Sequence, residues 1–210
     1  MSQRRAGLLS TSWRQKSVTP PPWPRRRCSH CHRAARCALT GGTGYLLSSW
    51  MIVRRMQKGE AEACEQVMRS LPKLFGIEEA IVEYAQACET METYVGVESG
   101  RVVGFVTLNQ RSPVAAEIHC MALRPEFHGK GLGRALVDHV EGLLASRPIE
   151  FLQVKTLGPA RPNAEYERTR GFYEHMGFRP LEENDLWGKD NPCLMMVKHL
   201  TCPRPSRAGQ

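Results

Sequence analysis

From residue 123 to residue 136 the chain reads Leu-Arg-Pro-Glu-Phe-His-Gly-Lys-Gly-Leu-Gly-Arg-Ala-Leu. Pro125 and the alternating glycines Gly129, Gly131 and Gly133 break any continuous strand or helix. Before them, residues 114–123 read as a strand. After them, Leu132, Leu136, Val140, Leu143 and Leu144 share one helical face, which predicts a helix from about 131 to 146. A strand, a tight turn and a helix must therefore follow one another. Glycines allow close approach of backbone N–H groups to an anion, and the helix N-terminus adds its dipole. Lys130 and Arg134 add positive charge. The segment reads as a phosphate cradle, or, with no ligand, as a plain strand-to-helix turn. It is not a Walker loop, since no Gly-Lys-Ser/Thr follows four spacers, and the G-x-G-x-x-G spacing is absent.

The surrounding pattern predicts the other elements. Residues 51–56 read as a strand, and 59–72 and 77–88 as helices, with Ile77, Ile81, Tyr84 and Ala85 on one face of the second. Residues 93–98 and 101–108 form a hairpin around Ser99-Gly100. Residues 151–156 are a strand, and Asn163 caps a helix reaching about Met176. Strands at 178–181 and 194–197 close the chain. The order β-αα-β-β-β-α-β-α-β-β predicts an α/β (α+β) mixed sheet flanked by helices.

Charge divides the chain. Residues 1–50 hold eight Arg, one Lys and no acid, which accounts for the net +8; the rest is close to neutral. Residues 1–50 are expected to be a basic, disordered extension, 51–200 the folded domain and 201–210 a tail. Translation starting at Met51 is an alternative origin for that extension, and a transit peptide another. Nucleic-acid contact, if any, belongs to the basic extension and not to the domain. Cys28, Cys31, His32 and Cys37 resemble half a zinc site, but all lie within ten residues, and no metal is expected. The five later cysteines are scattered, and no secretory signal is evident, so reduced thiols and a cytoplasmic location are expected. Apolar runs are too short to span a bilayer, so no membrane partner is expected.

A second informative segment is Tyr166-Glu-Arg-Thr-Arg-Gly-Phe-Tyr-Glu-His-Met-Gly-Phe178. Tyr166, Thr169, Tyr173 and Met176 lie on one helical face, and Gly177 ends the helix.

Together the two segments resemble the GNAT superfamily of acetyl-CoA-dependent N-acetyltransferases. His128-Gly-Lys-Gly-Leu-Gly133 is similar to the family's Gln/Arg-x-x-Gly-x-Gly/Ala signature, with His for Gln or Arg. Met121-Ala-Leu-Arg-Pro125 resembles its lead-in, and Phe172 to Phe178 its Phe-Tyr-x-x-x-Gly-Phe element. The resemblance covers about residues 51–200. It implies a mainly antiparallel sheet with one splayed parallel pair, here 114–123 and 151–157.

The resemblance also implies roles. Acetyl-CoA would lie in the splayed pair, its pantetheine arm on the backbone of Met121, Ala122 and Leu123. Its pyrophosphate would meet the N–H groups of Gly129, Lys130, Gly131, Leu132, Gly133 and Arg134, with His128 beside them as a cofactor-binding residue whose side chain is less available for phosphate than Arg. Many members have Asn where this chain has Tyr166, so Asn163 is the substitute polar contact. Tyr173 falls on the usual general acid, which protonates the departing thiolate. An amine of pKa about 10.4 is almost wholly protonated at neutral pH, so a base helps. Glu117, eleven residues before His128, resembles the catalytic glutamate of the family's histone acetyltransferases; His119, on the same strand face, or water is the alternative. Cys120 is expected to face the core.

The acceptor has no motif. Glu78, Glu79, Glu83 and the stretch Leu181–Trp187 are candidate lining. A primary amine of a small molecule is the leading acceptor; a protein lysine or N-terminus, or a non-catalytic CoA-binding module, are the alternatives. Self-association as a homodimer is open. Deleting residues 1–50 should leave the thermal melting of the domain unchanged; loss of the cooperative transition would show that the extension is structural.

Overall fold

The hairpin between the strands β2 (Glu92–Glu98) and β3 (Arg101–Ser112) closes through Ser99 and Gly100, with φ of 50° and 79°. Two consecutive left-handed residues make the tight turn whose twist matches its strands. The computed structural model describes residues 51–200, so the extension's cysteines and His32, and Cys202, lie outside it. The remaining elements are β1 (Met51–Arg55), α1 (Ala61–Arg69), α2 (Glu78–Thr90), β4 (Ala115–Leu123), α3 (Leu132–Leu144), β5 (Phe151–Leu157), α4 (Ala164–His175), β6 (Arg179–Asn184) and β7 (Cys193–His199). Every element expected from the sequence is present in the expected order. Strand β3 extends four residues beyond its expected end. Ile77, expected on the packed face of α2, instead precedes the helix and is exposed.

The sheet order is β1-β2-β3-β4-β5-β7-β6. All pairs are antiparallel except β4–β5, which α3 connects as a crossover. Cores form on both faces. On one, α3 and α4 bury Leu132, Leu136, Leu152, Phe178 and Met196. On the other, α1 and α2 bury Cys64, Val67, Met68, Val95 and Phe105.

Two features of this sheet position the site. First, Gly96 and Gly104 are cross-strand partners under Leu132 at the start of α3. A Cβ on Gly96 would stand 2.7 Å from Leu132 Cδ1, so only glycine lets the helix start settle this close. Second, β4 changes face. Thr107 pairs with Cys120 and Leu108 with Ile118, leaving His119 outside the ladder. Ala116 and Ile118 therefore enter the α3-side core, whereas Cys120 and Ala122 enter the α1-side core. Cys120 faces a core, as expected, but the face change puts it in the α1-side core and not with Ile118.

Phe105 is fully buried between β3 and the first two helices. Phe105→Ala should cost about 3–5 kcal/mol by deleting a ring from a packed interior. Urea unfolding with an unchanged m-value would measure it; a loss below about 1 kcal/mol would mean the site collapses freely.

Candidate active site

Parallel pairing between β4 and β5 runs only from Ala115–Phe151 to Ile118–Val154. Beyond it, β4 continues on β3 through Leu123, and β5 continues on β7. The β5-facing edge of Met121, Ala122 and Leu123 is thus unpaired, and a V-shaped split opens between the strands.

At the open end of the split the chain turns into α3. Phe127 is buried and anchors the turn, and Gly129 and Gly131 take φ of 71° and 86°. Lys130 lies over the Phe127 ring, 5.3 Å from its centre. Gly131 begins α3 with no side-chain cap and no acid in the first turn. The first-turn N–H groups, from Leu132 onward, are therefore left for an external acceptor. A Cβ on Gly133 would stand 3.1 Å from the Phe172 ring, so the helix start also packs closely on α4. The His128 ring donates from Nε2 to the Leu123 carbonyl at 2.9 Å, which holds the loop against the strand end. Arg134 donates to His175 Nε2 at 3.0 Å, which ties α3 to α4.

Helix α4 carries Tyr173. Asn163 Oδ1 accepts from the N–H groups of Glu165 and Tyr166 at 3.0 and 3.1 Å, the cap expected from sequence. Its carbonyl-type oxygen is thereby occupied. The Tyr166 hydroxyl donates to the Leu74 carbonyl at 3.2 Å, which fastens the α1–α2 connection to α4. The helix ends in a Schellman motif: Phe178 N–H bonds the Tyr173 carbonyl, Gly177 N–H bonds that of Glu174, and Gly177 has φ of 91°. The Tyr173 and Phe178 rings then meet at 5.4 Å. This gives the Phe-Tyr-x-x-x-Gly-Phe pattern a local purpose, which is to fix the tyrosine. Tyr173 is 5% exposed, and its hydroxyl makes no hydrogen bond to another described residue. Burial, then the nearby Cys120 thiol, pushes its pKa well above the ordinary phenol value. The phenol is therefore protonated at neutral pH. Cys120 is itself a buried free thiol raised by burial and by Cys88.

Glu117 lies on the α1/α2 face of β4, one residue before the paired segment ends, and is 3% exposed. Lys155 Nζ donates to its Oε1 at 2.6 Å. Arg111 Nε lies 3.3 Å from Oε2 without the alignment of a hydrogen bond, and Oε2 has no hydrogen-bond partner among the described residues. The His119 ring packs against Tyr84 at 5.5 Å, on the same face as Glu117. Glu78 is spent on Arg69, while Glu79 and Glu83 are exposed. In the stretch 181–187, Leu181, Leu186 and Trp187 are exposed. The sequence reading missed Lys155, Arg111 and Tyr84. Alternation along β5 puts Lys155 on one face, but only the cross-strand register brings it to Glu117.

Comparisons with known proteins bear on this segment. Residues 89–180, from the end of α2 into β6, match the model of the acetyltransferase (GNAT) domain. Residues 89–180 form a GNAT acetyltransferase domain. An uncharacterised N-acetyltransferase of Chlorobaculum tepidum is 26% identical over 113 residues, 52% of this chain and 64% of that protein. The mycothiol acetyltransferase of Beutenbergia cavernae is 29% identical over 89 residues, 42% of this chain and 28% of its own length. The chain thus matches less than two thirds of either relative. A GNAT-family crystal structure from Desulfovibrio desulfuricans superposes with a TM-score of 0.65 at 17% identity, covering 72% of this chain and 99% of that one. An aminoglycoside 6'-N-acetyltransferase complexed with coenzyme A superposes with a TM-score of 0.58 at 20% identity, covering 73% and 99%. At these identities the likeness is one of fold, and it includes the mixed sheet with its parallel β4–β5 pair.

His119 offers a pH test of this geometry. Burial holds its pKa below the ordinary 6.5, with Glu117 acting in the opposite direction. The neutral ring is favoured in the fold, so the associated stability is complete above the unfolded value and declines as pH falls through it toward the folded value. His119→Gln should flatten the fall in melting temperature between about pH 7 and pH 5. An unchanged slope would assign that fall to other groups.

Proposed function

We propose that this protein is an N-acetyltransferase that moves an acetyl group from acetyl-CoA to a primary amine of a small molecule by direct attack in a ternary complex. The observation that supports it is the alignment of three parts along one split: an uncapped helix start, an unpaired strand edge and a buried, protonated Tyr173. Acetyl-CoA supplies a thioester carbonyl and a thiolate leaving group.

The chain's own residues fit that cosubstrate. The N–H groups from Gly129 to Arg134 would hold the pyrophosphate, since nothing in the first turn of α3 competes for them. Lys130 and Arg134 add charge. His128, expected at the pyrophosphate, instead braces the turn, because its ring is engaged with the Leu123 carbonyl and its N–H with the Pro125 carbonyl. The unpaired edge of Met121, Ala122 and Leu123 would bond the pantetheine amides as an added strand does. Asn163 and Tyr166 act by building the N-terminus of α4 and by holding the α1–α2 connection to it.

Glu117 accepts the first proton of the acceptor ammonium, directly or through water. Its unpartnered Oε2 supports that role, and Lys155 on Oε1 orients the carboxylate. Tyr173 gives its hydroxyl proton to the thiolate and recovers the second proton of the amine as the amide forms. The superposed aminoglycoside enzyme supports a small-molecule acceptor.

Saturating acetyl-CoA, at about 100 times its Kd, should add about 2.7 kcal/mol of stability. For this size the melting temperature of the full chain rises by roughly 5–10 °C. Tyr173→Phe should keep that shift and lower turnover about 10²–10⁴-fold. A folded protein with no shift would overturn the cosubstrate. Full turnover in Tyr173→Phe would leave the tyrosine a packing role alone.

A further inference from the structure

Resting on that reading, the unpaired groups around Glu117 define the chemistry of the acceptor. The buried carboxylate faces two cations. Lys155 satisfies Oε1 through a 2.6 Å hydrogen bond and is itself mostly buried. One positive charge balances one negative charge there. Arg111 is then in surplus. It sits where the β3–β4 register shifts, between the Gln110–Ala116 and Ser112–Ala115 pairs. Its side chain is 49% exposed, and its guanidinium donates no hydrogen bond to another described residue. Glu83, exposed on α2, acts on His119 from the same side.

Arg111 Nε and Glu117 Oε2 form an ion pair at 3.3 Å without hydrogen-bond alignment, so the buried oxygen has no hydrogen-bond donor and the guanidinium no hydrogen-bond acceptor among the described residues. A buried acceptor atom left unpaired is costly, so a bound N–H donor would relieve it. A guanidinium presents paired donors that match a carboxylate in a fork. Their complement is an ammonium and a carboxylate flanking a single carbon. A plain amine would answer Oε2 and leave Arg111 unused; a polyamine would be repelled by Arg111 and Lys155.

We propose that the acceptor is an α-amino acid, its ammonium on Glu117 Oε2 and its carboxylate on Arg111. The ammonium then stands where Glu117 takes its proton, on the α1/α2 face beside the opening of the split. Arg111 is a specificity residue in this scheme and takes no part in proton transfer.

The test uses the full chain with acetyl-CoA and follows thiol release from two pools, the common α-amino acids and the same compounds as carboxamides. Release is expected from the acid pool and not from the carboxamide pool. With the amino acid that reacts best, Arg111→Gln should raise KM about tenfold or more, the loss of one charge-assisted pair, with kcat nearly unchanged. Arg111→Lys should recover part of that loss. Equal release from both pools, silence from the acid pool, or an unchanged KM in a folded Arg111→Gln protein would each overturn the assignment. If the acetyl-CoA melting shift persists in those cases, the acetyltransferase reading stands and only the acceptor class falls. Absence of that shift would overturn the acetyltransferase reading itself.

Discussion

The site depends on how closely α3 settles on the sheet. Leu132 sits over two paired glycines, and a single added Cβ on Gly96 would bring atoms to 2.7 Å. That seat places the uncapped helix start beside the end of β4. Gly133 against Phe172 then fixes the same helix start to α4, and α4 brings Tyr173. Interiors are close-packed, so a lateral shift of α3 would move the anion-binding turn and the tyrosine together. Gly96 and Gly104 are part of the site even though neither would touch a substrate.

The split follows from a second constraint. Strands β4 and β5 pair for four residues and then have other partners, β3 and β7, that lead them apart. The extra residue at His119 turns β4 over at that point. It leaves polar groups on the α1/α2 face below the split and places Cys120 in a core above it. The paired segment of β4 and the segment beyond it therefore differ in character. The paired segment brings Glu117 to Lys155 and Arg111, and beyond Ile118 the strand offers a backbone edge suited to amides. A buried carboxylate is tolerable because Lys155 is there. Removing that lysine would leave an uncompensated charge, which is far costlier than the pair is worth.

Much of the frame was legible in the sequence, and for local reasons. The Ser99-Gly100 turn, the Asn163 cap, the Gly177 stop and the apolar stripe of α3 each depend on residues a few positions apart. The glycine-rich turn and the Phe-Tyr-x-x-x-Gly-Phe pattern announced the family before any coordinates. Ile77 shows the limit of such patterns. It keeps the helical spacing of its neighbours but precedes the first turn of α2, so it faces outward.

The sequence by itself determined which segments are helix, strand and turn, and where a helix start would be free to meet an anion. Those outcomes depend on backbone preferences and on nearest neighbours along the chain. The tertiary structure alone decided that Lys155 and Arg111 share Glu117, that Leu132 lies on Gly96 and Gly104, and that β4 and β5 part after Ile118. Lys155 lies 38 residues from Glu117. Their meeting depends on cross-strand register, which is set by every contact in the sheet at once and is written in no single motif.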